Sequence, residues 1–232
     1  MKKTVLLCAA ALLVGLVLGF AGGHSLLFGA GQLSRNSDTP ASTAISALMP
    51  STPLPSPAVQ ALDTQDNLPL LERGEQVLLA LRDRDYAALA QLTHPTAGVT
   101  FTPYSTVTRE YDLVFTPQQL AGLGEDTTVY TWGVIDGKGD PIRMTGEEYI
   151  SSYVFNADYT QAPQIGVDTI HLLGNALENV AAAFPDGRFV EYHFPGLDPQ
   201  MEGYDWCSLK VVFEAYNNQW YLVGLIHSQW TI

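Results

Sequence analysis

The sequence predicts an α+β fold for residues 66–232, and three features carry that prediction. Apolar residues recur at helical spacing between Leu70 and Leu81. Beyond Val99 the period drops to two. The last quarter holds three long strand candidates, "RFVEYHF", "WCSLKVVFEAY" and "QWYLVGLIHSQW", of which the last two are separated only by Asn217-Asn218, a dipeptide that tolerates the positive φ of a tight hairpin.

Residues 1–33 begin with Lys2 and Lys3 and then run from Thr4 to Gly23 without a charge. At 1.5 Å per residue that run can span a hydrocarbon layer of ~30 Å. Lysines at the front hold the N-terminus in the cytoplasm, so the rest of the chain is expected on the extracytoplasmic face of a bacterial cell membrane. The segment reads as a signal anchor, or as a signal peptide if it is cleaved after Gly19-Phe20-Ala21, in which case the protein is secreted; its apolar length favours the anchor. Residues 34–65 are rich in Ser, Thr, Pro and Ala and lack a periodic apolar face, so they read as a disordered linker. Pro50, Pro53, Pro55 and Pro57 bias that linker toward extended conformations.

Within the globular domain, Leu70, Leu71, Val77, Leu78 and Leu81 form one helical stripe, with Asp66 or Asn67 placed to cap it. "DYAALAQLT" is a second helix, opened by Asp85 and stopped at His94-Pro95, where His94 is expected to favour the helix dipole as a cation. Strands are expected at Val99–Phe101 and over "DLVF" at 112–115. Thr116-Pro117-Gln118-Gln119 is a capping box that starts a short helix. "TVYTWGV" and "PIRM" flank "IDGKGD", which reads as a hairpin connection; Lys138 stands where a calcium loop needs an oxygen ligand. Thr145-Gly146-Glu147-Glu148 is a second capping box, leading a helix with Tyr149, Ile150 and Tyr153 inward. Leu177, Val180, Ala181 and Phe184 predict one more helix before Pro185.

A two-residue loop at Asn217-Asn218 fixes the register of the terminal hairpin, pairing Phe213 with Leu222, Val211 with Gly224, Leu209 with Ile226 and Ser208 with His227. One face is then Cys207, Leu209, Val211, Phe213, Trp220, Leu222 and Ile226. The other mixes Trp206, Ser208, Lys210, Val212, Tyr221, Val223, Leu225 and His227. In the strand before them, Val190, Tyr192 and Phe194 are expected to join the apolar face, which leaves Glu191 and His193 on the mixed one.

Charge narrows the partners. Residues 60–232 hold 8 basic and 23 acidic side chains, a net of −15. Such a body repels phosphate backbones, so no nucleic acid partner is expected. Cys207 is the one cysteine of the domain and is expected as buried apolar filler. There is no glycine-rich phosphate loop, nucleophile elbow or Cys-x-x-Cys, so no cofactor, metal or catalytic residue is expected.

The candidate ligand-binding residues are Glu191, His193, Trp206, Ser208 and His227, which share the mixed face if the 188–194 strand pairs with "WCSLKVVF", a register that its long connection "PGLDPQMEGY" leaves open, with Tyr104 at a strand exit where it could line a pocket mouth or simply cover the core. Two imidazoles, a carboxylate and a hydroxyl can exchange protons or hold part of a metal shell. The competing expectation is an outer sheet surface, half solvated or buried in a homodimer, on which Glu191 and His193 bond their neighbours.

Two N-terminal helices, the phrase "LRDRDYAALAQLTHP", short intervening elements and closing antiparallel strands ending in "WYLVGLIHSQW" resemble the nuclear transport factor two-like superfamily over about residues 66–232, and in particular its uncharacterised exported bacterial members. The resemblance implies a curved antiparallel sheet wrapped around the N-terminal helices as a cone with a pocket. It implies two kinds of function: a membrane-tethered binding or protein-interaction module, or a small-molecule enzyme like ketosteroid isomerase or polyketide cyclases, with a pocket carboxylate or His as proton acceptor. The isomerase's aspartate base and its tyrosine and acid donors match no particular position, so no catalytic residue is carried over. Expected partners are the membrane, a small molecule or envelope protein, and a second copy of the chain.

Overall fold

A computed structural model describes residues 65–231. The hydrophobic segment expected at 1–33 and the linker expected at 34–65, apart from its last residue, lie outside the described residues. No helix among the described residues is long and apolar enough to cross a membrane.

The chain opens with α1 (Leu68–Arg82), whose inner stripe of Leu70, Val77, Leu78 and Leu81 is at most 2% exposed. Asn67 holds the N-cap position without a side-chain cap bond, because its amide oxygen instead accepts from Arg188 Nη2 at 2.8 Å. Asp85 does cap α2 (Tyr86–Leu92), accepting from the Ala88 N–H. His94 departs from the expected role as a cation at the helix end. Its Nδ1 accepts the Ala97 N–H at 2.9 Å and closes the following turn as a neutral acceptor.

Then come β1 (Val99–Thr102), β2 (Leu113–Phe115), α3 (Pro117–Ala121) and the hairpin of β3 (Tyr130–Val134) and β4 (Pro141–Met144). Both expected capping boxes form, at Thr116 and at Thr145, the latter opening α4 (Gly146–Tyr149), which runs on as a π-helix over Ile150–Val154. The sequence pattern missed β5 (Gln164–Val167). The helix expected over 177–184 shrinks to the single turn α5 (Val180–Ala183), and Leu177 lies outside it, 71% exposed. The closing strands are β6 (Gly187–Phe194), β7 (Cys207–Tyr216) and β8 (Gln219–Gln229).

Six strands form one curved, open sheet in the order β2-β1-β8-β7-β6-β5, and β3-β4 stands apart as a ribbon. The sheet is not wholly antiparallel as expected: β1 runs parallel to β8, with Thr100 opposite Gly224. β1 and β8 are joined by the whole intervening chain and not by a tight turn, so no hairpin imposes an antiparallel direction on this pair, while β2 pairs antiparallel with the other edge of β1. Val190, Tyr192 and Phe194 do face Val211, Leu209 and Cys207, as the alternation requires. With Val99, Phe101, Phe213, Leu222 and Leu225 they pack against α1, Leu89 and Tyr149 as one core.

The terminal hairpin needs a correction. Asn217 and Asn218 take positive φ, and the expected pairing holds from Tyr216–Gln219 to Phe213–Leu222. A bulge at Val223 then shifts it by one, so Val211 faces Leu225, Leu209 faces His227 and Ser208 faces Ser228. The shift flips side chains across the sheet. Leu225 and His227 move to the inner face, and Ile226 joins an outer apolar cluster with Val107, Val180, Phe184 and Phe189.

Candidate functional site

The expected meeting of Glu191, His193 and Ser208 takes place on the outer face of the sheet. Register sets His193 opposite Ser208 and Glu191 opposite Lys210, and the His193 Nδ1 to Ser208 Oγ distance is 2.8 Å. The Trp206 ring lies 5.9 Å from that of His193. His227 does not join them. The bulge sends it to the inner face, where its ring lies 6.0 Å from Tyr153, its Nε2 lies 3.1 Å from Gln229 Oε1, and burial lowers its pKa to about 4.

Sequence reasoning placed Lys210 on this face but missed its role as the hub. Its Nζ, wholly buried, donates to Ser228 Oγ at 2.6 Å and stands 2.8 Å from Glu178 Oε2 and 3.7 Å from Glu191 Oε1. Ser228 in turn accepts from Ser105 Oγ. Glu191 Oε2 accepts the His171 backbone N–H at 2.6 Å and lies 2.8 Å from His171 Nδ1. The His171 and His193 rings are parallel, 5.6 Å apart. A lysine amid the apolar run "LKVVF" was the available signal, since an ammonium in a central strand requires enclosed carboxylates.

This face is neither half solvated nor left free for a dimer partner. Residues 168–184 cover it: Glu191 and Ser208 are fully enclosed and His193 is 2% exposed. Asn179 pins that cover, its side chain accepting the Val107 N–H at 2.8 Å and donating to the Val107 carbonyl at 2.9 Å. Arg109 lies over the Phe184 ring and donates to the Ala183 carbonyl. Burial, with His171 and Lys210 nearby, lowers the His193 pKa, against the pull of Glu191. Among the described residues no group of three His, Cys, Asp or Glu side chains is arranged to hold a metal ion. What the cluster can do is bind the 168–184 segment to the sheet.

Tyr104 goes elsewhere. It lines an open cleft of about 620 Å³ between residues 103–112, 133–136 and 175–177. The cleft shares its walls with the enclosed cluster, because Ser105 and Glu178 turn inward where Tyr104, Thr106 and Leu177 turn out. Tyr104 Oη accepts the Asp136 N–H at 3.4 Å, and its ring lies 6.3 Å from Tyr153. Behind the cleft, Phe115, Trp132, Tyr149 and Tyr153 stack nearly parallel, at 5.6, 3.9 and 5.1 Å between successive centroids. Asp112, which the sequence offered only as the edge of a strand, is held on this wall by Thr102 Oγ1 at 2.9 Å and the Thr108 N–H at 2.8 Å, both donating to Oδ2. Burial raises its carboxyl pKa despite these bonds. Burial also raises the Tyr153 hydroxyl to about 12 and holds the Tyr149 hydroxyl well above its usual range, so both stay protonated at neutral pH.

No family model and no curated protein matches the sequence. Similar solved structures include a protein from Xanthomonas campestris described as a calcium/calmodulin dependent protein kinase II association domain, 10% identical, covering 74% of this chain and 92% of that one at a TM-score of 0.33. Another is a designed chain of the nuclear transport factor two-like type, 12% identical, covering 70% of this chain and 98% of that one at a TM-score of 0.28.

Proposed function

We propose that the protein is a binding module of the nuclear transport factor two-like superfamily, of the exported bacterial kind, with its sheet and helices forming a filled cone. Residues 1–33 tether it to the extracytoplasmic face of the cell membrane and residues 34–65 space the domain from it. The observation that carries the binding role is the cleft at Tyr104. It is open and of small-molecule size, while the inner face of the sheet behind it is packed and the strongest polar cluster is enclosed by the chain itself. A thermal-shift screen of small molecules against the full chain tests this. Binders are expected to raise Tm, and Ala176→Trp, which fills the cleft, is expected to abolish the shift; hits that survive Ala176→Trp, or no hits, overturn the reading. For the location, external protease is expected to remove the C-terminal domain from intact cells.

The enzyme alternative, of isomerase or cyclase type, has one observation in its favour: Asp112, a carboxyl whose pKa burial raises, lies on the cleft wall near tyrosine hydroxyls. Glu191 and His193 are enclosed and not open to a substrate. A homodimer, the other expected partner, would use the edges at β2 and β5 or the exposed Leu172, Leu173 and Leu177, since the outer face of β6–β8 is covered. Sedimentation with and without Leu173→Glu checks that.

A further inference from the structure

We propose that the cleft takes a small primary amine, its ammonium group seated on Asp112 and its apolar stem against Tyr111, Val134 and Leu177. This rests on the cleft being the ligand site and names the class of ligand.

Four observations point the same way. The lining holds two carboxylates, Asp112 and Asp136, and no Lys, Arg or His. An anion would therefore meet unbalanced negative charge in a domain that is itself strongly acidic. Second, Asp112 is only half used. Both of its hydrogen bonds fall on Oδ2, which leaves Oδ1 without a protein partner among the described residues.

Third, the Tyr149 hydroxyl behind the cleft wall is fully buried, has no hydrogen-bond partner among the described residues, and lies within electrostatic reach of Asp112, so the wall behind the carboxyl offers it no cation of its own. Asp112 Oδ1 is the open acceptor of the lining, and an ammonium brings three N–H donors to it. An alcohol brings one such donor and a carboxylate none. The carboxyl of Asp112 is also disfavoured as an anion by its burial, and an adjacent cation offsets that penalty.

Fourth, the mouth is apolar and wet. Tyr111 is 75% exposed, Leu177 71% and Val134 55%. Large apolar side chains kept in water around an acidic floor suit a ligand that is charged at one end and apolar at the other, with the Tyr111 ring available for a cation–π or stacking contact. The volume of about 620 Å³ fits a small molecule.

The test is calorimetric titration of the full chain in non-ionic detergent micelles, corrected for micelles alone, with 2-phenylethylammonium, 2-phenylethanol and phenylacetate. The amine is expected to bind at least tenfold tighter than the alcohol, and phenylacetate not to bind. Asp112→Asn is expected to weaken the amine at least tenfold and the alcohol less than twofold, while Glu72→Gln on α1 changes nothing. If circular dichroism shows Asp112→Asn to be unfolded, Tyr111→Ala carries the same test, with a loss of threefold or more expected for the amine. Alcohol or phenylacetate binding as tightly as the amine, and lost in Ala176→Trp, overturns the amine class and leaves the cleft standing. Amine binding that survives Ala176→Trp overturns the cleft as the site. Failure of all three probes beside cleft-dependent hits in the thermal-shift screen overturns the amine class alone.

Discussion

The two faces of the sheet at β6–β8 are both buried, by different means. The inner face is closed by α1 and the aromatic stack mainly through apolar contact, from Leu209, Val211 and Phe213 to Leu222, with the buried His227 near its end. The outer face sets Glu191, His193, Ser208 and Lys210 beside an apolar patch of Val212, Val223 and Ile226, and is closed by a segment that brings Glu178 and His171 to the polar groups and Val180 and Phe184 to the patch. Apolar burial is non-directional and tolerates many partners. Polar burial holds only while every group has its particular partner, so the outer face depends on one loop conformation in a way the inner face does not.

The largest effect is expected on the inner face. Phe213→Ala should cost about 4 kcal/mol in urea unfolding, the range for a buried aromatic removed from a packed core; a loss below about 1 kcal/mol would mean that face is loosely packed. On the outer face, Lys210→Met should cost about 3 kcal/mol by leaving two carboxylates facing each other without a cation. Lys210→Met combined with Glu178→Gln and Glu191→Gln should recover more than half of that loss. Failure to recover would show that packing, not charge, holds the cover.

Acid sharpens the contrast through His227. Its pKa is lowered in the folded protein to about 4, so between pH 6.5 and 4 the unfolded chain binds the extra proton and stability falls as pH falls through that window. The stability lost amounts to about 3 kcal/mol by pH 4.5. His227→Gln should flatten this part of the stability profile, and a slope unchanged by the substitution would assign it to other groups. The smallest effect is expected from Asn179→Ala, about 1 kcal/mol, with faster amide exchange confined to residues 168–184. Exchange that rises equally in β7 would mean the two faces are not separable.

Much of the fold could be read directly. Capping boxes at Thr116 and Thr145, the asparagine turn and the alternation of β6 are local patterns with local causes, and each forms as written. The bulge was harder because the extra residue, Val223, is an ordinary strand former. The one hint was Gly224 beside it, where an added Cβ would meet Val212 at 3.2 Å and the Phe184 ring at 3.0 Å. That shift by one residue removed His227 from the candidate site and exchanged Ile226 for Leu225. The parallel pairing of β1 and the folding back of 168–184 left no local trace, since both depend on partners more than a hundred or some tens of residues away. For the site, Glu191, His193 and Ser208 were expected on one face with the register between their strands left open by the long connection 195–204, Tyr104 was expected at a pocket mouth or over the core, and Asp112 and Tyr149 read only as parts of an ordinary strand and helix.

The seat of β8 between β1 and β7 governs the order in which the molecule can be completed. The first strand of the sheet finds its parallel neighbour only in β8, more than a hundred residues further along the chain, so the facing edges of β1 and β7 stay unsatisfied until β8 docks between them. A nascent or truncated chain ending before Gln219 keeps β1 and β7 apart and cannot lock.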